Sequence, residues 1–211
     1  MKVVELTSYV AAPTCGMLFA HAGHEVVKVR CKDGWEKHAA AYKRLNGGKA
    51  VCEKLVLEGA DIFLTNLPTD KLRERGLDYS TIHEQYPDLI YGHMTAYDNG
   101  RPGFDHTAFW AESGLMDLME TPRTPPYGVG DTIAGLLLFA RLLTAAPGEY
   151  VQVSLYEAGQ FVTEQHRLVG HPYPLPFRSP YGNTFQQGGE WYMSDGKQTV
   201  PVLTLAQKKR R

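Results

Sequence analysis

Lys2-Val-Val-Glu-Leu-Thr-Ser-Tyr-Val-Ala-Ala-Pro-Thr-Cys-Gly-Met-Leu-Phe-Ala-His-Ala-Gly-His-Glu-Val-Val-Lys-Val29 is the stretch that decides the fold class. Lys2 to Leu6 is a short, mostly apolar run and predicts a buried strand. Tyr9 to Pro13 predicts a turn, Cys15 to Gly23 a helix closed by glycine, and Glu25 to Val29 a second strand. Strand, helix and strand in this span make a βαβ unit with a right-handed crossover.

The same alternation continues outward. Ala50 to Glu58 predicts a helix, Asp61 to Thr65 a third strand, Ser80 to Gln85 a helix stopped by Pro87, and Leu89 to Met94 a fourth strand. Lys71 to Arg75 is short and charged, and Gly103 to Met119 is helical in part. Thr121 to Pro126 is a proline-rich loop, and Glu149 to Glu157 is a strand that runs into a further helix. These elements predict an α/β fold, Rossmann-like, with a mainly parallel sheet and flanking helices. After Gly170 the texture changes. His171 to Pro180 holds four prolines and predicts irregular structure, and Trp191 to Gly196 predicts part of a hairpin. The chain therefore divides into a large α/β domain over residues 1–170 and a linker with a fragment over 171–211.

Composition narrows the function classes. The 211 residues carry 22 basic and 23 acidic side chains, a net charge of −1, which argues against nucleic acid as a partner. The basic end Lys208 to Arg211 reads as a solvated tail. Cys15, Cys31 and Cys52 are odd in number and lack CxxC spacing, which suits a reducing cytoplasm rather than a disulfide framework. Glu5 stands where a signal peptide needs an apolar core, and no apolar run reaches the roughly 18 residues that span a membrane. Gly16 and Gly23 do not form a dinucleotide fingerprint, and no P-loop or Gly-x-Ser-x-Gly elbow is present. His21 and His24 lie three apart without a third ligand, so no metal is expected.

One carboxylate stands out. Tyr127-Gly-Val-Gly-Asp131 opens the apolar helical run Thr132 to Ala140. An acid there is ordinarily an N-cap. Gly128 and Gly130, however, leave room for a ligand, and open α/β sheets place chemistry at the mouths of their strands. Asp105, two residues after Gly103, also stands at a helix start and has the same capping alternative. Asn66 ends the third strand, either as an Asx turn or as a ligand contact. Lys28, Arg30 and Lys32 lie near the end of the second strand, either as a solvated edge or as phosphate donors.

With these residues in place, the chain resembles the family III CoA-transferases, the group that includes the formyl-CoA:oxalate, carnitine and 2-hydroxyacyl CoA-transferases. Val3 to Pro13 is similar to the family's opening strand and turn, Ala22 to Val29 to its second strand, and Asn46-Gly-Gly-Lys49 to its short glycine-lysine element. Ala60 to Asn66, Arg75-Gly-Leu-Asp-Tyr79, Pro87 to Tyr91, Pro102 to Asp105, Ser113 to Met116, Gly130-Asp131 and Gly148 to Ala158 follow in family order.

The resemblance implies that Asp131 is a nucleophile, supported by Asp105 and Gly130. It forms a mixed anhydride and then an aspartyl-CoA thioester. Backbone N–H groups around Gly130 are expected to stabilise the oxyanions. For CoA it implies Tyr9, Val10 and Ala11, Asn66 and Leu67, with Lys28, Arg30, Arg73 and Arg75 as candidate phosphate contacts. Glu74 holds the position of the family's arginine. The substrates implied are an acyl-CoA and a carboxylic acid, with no cofactor beyond CoA itself. The assembly implied is an interlocked homodimer, with Pro172 to Pro180 and the apolar Tyr173, Leu175, Phe177 and Tyr181 buried between chains.

Acyl-CoA racemases share the fold and the aspartate but carry a histidine where this chain has Phe104, which favours the transferase. A non-catalytic CoA-binding fragment is the third reading. Relative to the family pattern the chain is shorter at Lys49–Ala50, Asn99–Arg101 and Ala145–Gly148, and most of the second domain beyond Gly196 is missing. The first of these gaps predicts a sheet short of a central strand.

Overall fold

The computed structural model describes residues 1–31, 38–118, 125–168, 183–187, 190–194 and 199–201. In chain order the elements are β1 (Lys2–Leu6), α1 (Ala11–His21), β2 (Glu25–Val29), α2 (Ala39–Asn46), β3 (Ala50–Cys52) and β4 (Ile62–Thr65). They continue with α3 (Thr69–Glu74), α4 (Tyr79–Gln85), β5 (Ile90–Thr95), a π-helical segment (Asp105–Glu112) and a 3₁₀ turn (Met116–Leu118). The rest are α5 (Val129–Leu142), β6 (Tyr150–Ser154), α6 (Leu155–Leu168) and the strands β7 (Asn183–Gln187), β8 (Glu190–Ser194) and β9 (Thr199–Pro201).

Strands β1 to β6 form one parallel sheet in the order β3-β2-β1-β4-β5-β6. The chain winds outward from β1 in one direction and then outward from β4 in the other. The carboxyl ends of β1 and β4 therefore flank the topological switch point, where open α/β sheets leave a crevice for ligands. Val3, Ile62 and Leu64 pack into a core with α1, α5 and the π-helical segment. Their neighbours Val4 and Phe63 pack into a second core with Ile82 of α4 and Leu89. This alternation is the period of two expected of strands covered on both faces. Helix α5 lies against α1 because Gly135 has no side chain: a Cβ there would sit 2.5 Å from the Ala11 carbonyl oxygen. That contact brings the first turn of α5 beside the β1–α1 loop.

Three expectations change. Ala50 to Glu58 is not a helix, since Ala50–Cys52 pairs with β2 as the edge strand β3. Val51, Leu55 and Val56 imitate helical spacing, but the unpaired edge of β2 offers that backbone a ladder, and tertiary pairing wins. The chain shortening at Lys49–Ala50 therefore falls at the sheet's edge, not at its centre. Lys71 to Arg75, read only as short and charged, overlaps the helix α3 (Thr69–Glu74). The hairpin expected over Trp191 to Gly196 agrees with the described residues there: Trp191 to Ser194 belongs to β8, which pairs antiparallel with both β7 and β9. The proline-rich run 171–180 lies outside the described residues.

The sheet also buries charge. Glu5 is in direct register with Lys28 of β2, and both are almost fully buried. The Lys28 ammonium donates to Glu5 Oε1 at 3.3 Å and to the Thr7 carbonyl at 2.8 Å. Lys49 donates to Glu5 Oε1 at 2.9 Å, to the Pro13 carbonyl at 3.0 Å and to Asn46 Oδ1 at 3.2 Å. One carboxylate thus holds two ammoniums, and the donors finish on helix α1 and the end of α2. Burial pushes the Lys49 ammonium below its usual value, against the pull of Glu5. Glu5→Gln would leave two buried cations short of their counter-charge. It should cost about 3–5 kcal/mol of unfolding free energy, measured by urea denaturation.

Candidate active site

The carboxyl ends of β1 and β4 are tied by a side chain. Asn66 Oδ1 accepts the Ser8 amide at 2.9 Å, and Asn66 Nδ2 donates to the Ser8 carbonyl at 2.9 Å. The amide of Asn66 thus copies a strand's donor and acceptor across the switch point, and it forms no Asx turn. Tyr9, next along, has a left-handed φ of 59° and a half-exposed ring. A non-glycine residue there is strained, which is common at functional turns. Tyr9, Val10 and Ala11 therefore lie beside Asn66 and Leu67 at the carboxyl ends of β1 and β4.

Asp131 lies in the first turn of α5, next to the β1–α1 loop. It is not the cap of this helix. The N-cap is Gly128, in the left-handed region at φ 74°, and Thr132 Oγ1 donates to the Gly128 carbonyl at 2.7 Å. A Cβ on Gly128 would lie 3.5 Å from Val10 Cγ1, which places α5 directly beside the β1–α1 loop. Asp131, the third helical residue, keeps its carboxylate uncommitted to capping. Asp105 approaches from the π-helical segment, a local distortion frequent at functional sites. Gly130 makes the approach possible, because a Cβ there would sit 2.1 Å from Asp105 Oδ1 and 2.2 Å from Phe109 Cγ.

The two acids control each other's charge. Asp105 is 7% exposed and neither of its oxygens completes a hydrogen bond. Burial raises its pKa, while His106 and the amides of Asp131, Gly130 and Gly128, which are directed at it, favour the ion. Those amides, expected from sequence to serve substrate oxyanions, are here turned to Asp105 instead. For Asp131, burial first and the Asp105 charge second push the pKa up to about 7. A pair so coupled titrates as a unit. Tyr127 is exposed at the same mouth, and its hydroxyl is raised by burial and by the charges of Asp131 and Asp105.

The cationic candidates are placed differently. Lys28 is 3% exposed and spends its ammonium on Glu5 and Thr7, so it is a core residue and not a phosphate donor on the surface. This corrects the sequence expectation: the register with Glu5, not the run of basic residues, governs its position. Arg30 leaves β2 and pairs with Glu53 at 2.7 Å. Arg73 and Arg75 are exposed at the end of α3, where Glu74 is bound by Lys71. Lys32 lies outside the described residues. Phe104 is 73% exposed, and the exposed His106 follows Asp105. Sequence reasoning passed over Tyr127, Phe109 and the Glu5–Lys49 pair. Only Glu5 left a signal, as an acid within an apolar strand.

The raised Asp131 pKa fixes a sign. Its unfolded value is near 3.8 and its folded value about 7, so between these the folded state binds more protons. Stability falls as pH rises through that window. Asp131→Asn removes the effect. The melting temperature of the variant relative to the parent should therefore climb from about pH 4 to about pH 8; scanning calorimetry at both ends measures it. Gly130→Ala forces a methyl into Asp105 and Phe109 and should cost about 1–3 kcal/mol, read by the same melts.

Residues 44–186 match the family model "CoA-transferase family III". The chain is 32% identical over 204 positions to a cinnamoyl-CoA:phenyllactate CoA-transferase of Clostridium sporogenes, covering 76% of this chain and 49% of that protein. It is 32% identical over 228 positions to an (R)-2-hydroxy-4-methylpentanoate CoA-transferase of Clostridioides difficile, covering 85% of this chain and 56% of that protein. The chain thus spans about half the length of these curated relatives. In structure it is similar to a hypothetical protein of Mycobacterium tuberculosis, with a TM-score of 0.72 and 23% identity over 92% of this chain and 63% of that one. It is also similar to a CAIB/BAIF family protein of Brucella suis, with a TM-score of 0.68 and 21% identity over 92% of this chain and 64% of that one. These two likenesses establish the shared α/β fold. With two-thirds of its length under the family model and relatives at this identity, the chain belongs to CoA-transferase family III.

Proposed function

We propose that this chain carries the catalytic α/β part of a CoA-transferase that moves CoA from an acyl-CoA thioester to a free carboxylic acid. The observation that carries the proposal is Asp131: a carboxylate at the switch point, free of any capping role, beside a buried second acid. In the reaction, the Asp131 oxygen attacks the thioester carbonyl, the C–S bond breaks, and a mixed anhydride and CoA thiolate form. The thiolate then attacks the aspartyl carbonyl, releasing the first acid and leaving an aspartyl-CoA thioester. The incoming carboxylate repeats the two steps in reverse and restores Asp131. Each step exchanges one carboxylate or thiolate for another, so no net proton, metal or redox partner is needed.

Asp131 must be ionised to attack, and the Asp105 charge opposes that. Expelling charge into the departing acid or thiolate relieves the repulsion, which favours the anhydride over the free ion. The turn at Asn66–Leu67 and the Tyr9–Ala11 loop are assigned to CoA, with the exposed Arg73 and Arg75 at the end of α3 as its phosphate contacts. For the acid we infer a 2-hydroxy acid with a bulky apolar side chain. The names of the two relatives share that chemistry, and the exposed Tyr9, Phe104, Tyr127 and Val129 supply apolar surface. Phe104, in place of a histidine, supports transfer over racemisation. We assign the interlocked homodimer and a cytoplasmic setting on the family resemblance and, for the latter, the free cysteines. No helix of the described residues is long and apolar enough to cross a membrane.

Asp131→Ala should abolish CoA transfer while leaving the far-ultraviolet circular dichroism unchanged. Intact-mass analysis of the parent mixed with acyl-CoA should show a CoA adduct that the variant lacks. Full turnover by the variant sinks the assignment. The rate should rise with pH through about 7, and Asp105→Asn should move that rise to lower pH. Activity should survive EDTA; its loss and recovery with a divalent ion would contradict metal-free transfer.

A further inference from the structure

His93 of β5 is 2% exposed and stands between two acceptors. Its Nε2 lies 2.9 Å from the Leu67 carbonyl oxygen, and its Nδ1 lies 3.0 Å from the Tyr150 hydroxyl. The same hydroxyl lies 2.9 Å from Gln152 Oε1. The Asp98 carbonyl, 3.3 Å from Gln152 Nε2, favours the orientation that turns Oε1 to Tyr150; Thr95 Oγ1, 3.4 Å from the same nitrogen, suits either orientation. The chain Leu67–His93–Tyr150–Gln152 thus ends in an acceptor at each side and contains three contacts of hydrogen-bond length.

Protons can be counted along it. A phenol brings one and a neutral imidazole brings one, which serves two contacts and leaves the third without a proton from the chain; Tyr150 is 38% exposed, so at its end water completes the count, while the Leu67 end at the buried ring depends on the ring alone. An imidazolium brings the missing proton and completes all three: Nε2–H to Leu67, Nδ1–H to Tyr150, and Tyr150 O–H to Gln152. Opposing it, burial disfavours the charged ring, with the Leu67 carbonyl as the counter-weight. The titratable groups around the ring are Tyr150 of β6 and Tyr91 of β5, with Tyr79 of α4 against both tyrosines and His83 against Tyr79. Among the described residues no carboxylate, ammonium or guanidinium bonds to the ring.

Leu67 adjoins Asn66, whose side chain clamps the Ser8–Tyr9 loop across the switch point. We propose that His93 is a positioning residue for the Asn66–Leu67 turn, and that the number of protons on its ring sets how firmly this turn is held for the CoA nucleotide. The proposal rests on the reading above that this turn contacts CoA. With the ring doubly protonated the Leu67 carbonyl has a committed donor. With the ring neutral, one tautomer keeps Leu67 and forfeits a contact at Tyr150, and the other keeps both Tyr150 contacts and releases Leu67.

The test is the dissociation constant of free CoA for the full chain, by titration calorimetry between about pH 5 and 8, for the parent, His93→Gln and Tyr150→Phe. Comparison with His93→Gln cancels the titration of the CoA phosphates, since a carboxamide donates and accepts without titrating. The ratio of parent to His93→Gln constants should rise about three- to tenfold from the acid to the basic end, the weight of one hydrogen bond. Tyr150→Phe removes the acceptor of the Nδ1 proton, so its rise should fall at lower pH than the parent's. Ring ¹⁵N resonances of His93, followed over the same range, should report the same ionisation. A pH-flat ratio with CoA still bound overturns the proposal and leaves the transferase reading intact. Absence of CoA binding by the parent at every pH overturns both.

Discussion

A single buried carboxylate organises the half of the sheet that frames the site. Glu5 lies within β1 and holds Lys28 from β2 and Lys49 from beyond α2, while the two ammoniums reach on to the Thr7 and Pro13 carbonyls. Thr7 and Pro13 bracket the loop that carries Tyr9. The ion network therefore fixes where β1 ends and where α1 begins, which is one wall of the switch point. Charges this deep are tolerated because each has several partners; a lone one would be expelled or neutralised. The cost is borne where the chain needs a defined loop geometry, not where it needs generic stability.

The other wall is set by steric permission. Gly135 lets α5 lie against α1, and Gly130 lets Asp105 lie against the first turn of α5. The result concentrates two acids in a poorly solvated corner. Burial and mutual repulsion both favour protonation, so the Asp131 carboxylate is held at high energy when ionised. That is the state that attacks an acyl carbonyl in the proposed reaction, and the energy stored in it is released as the charge leaves. The same corner explains why Asp105 has unsatisfied oxygens: the helix-start amides approach it without closing a hydrogen bond.

Between the walls, Asn66 bridges the β1 and β4 exits, and His93 supports the residue after Asn66 from below. The switch point is thus flanked by loops, and these loops are tied to the sheet by the side chains of Asn66 and His93. This is the usual division in open α/β folds, with strands as the rigid frame and their exits as the chemistry.

Much of this was legible in the sequence. The strands β1, β2, β4, β5 and β6 announce themselves by apolar runs punctuated with glycine and proline, and Asp131 by its place before an apolar helix. The family resemblance identified the residues expected around CoA. What sequence alone could not settle was partnership. Lys28, with Arg30 and Lys32 alternating after it, reads as a surface cluster; only the register Glu5 to Lys28 shows that it is interior. Ala50 to Glu58 has helical spacing, and only the vacant edge of β2 makes its first residues a strand. His93 looks like one more histidine until β6 brings Tyr150 alongside. The physical reason is common to all three. Periodicity and propensity act over a few neighbouring residues and determine which elements form. Charge pairing, strand edges and proton chains depend on residues 23 to 57 positions apart, and only the tertiary fold brings those together.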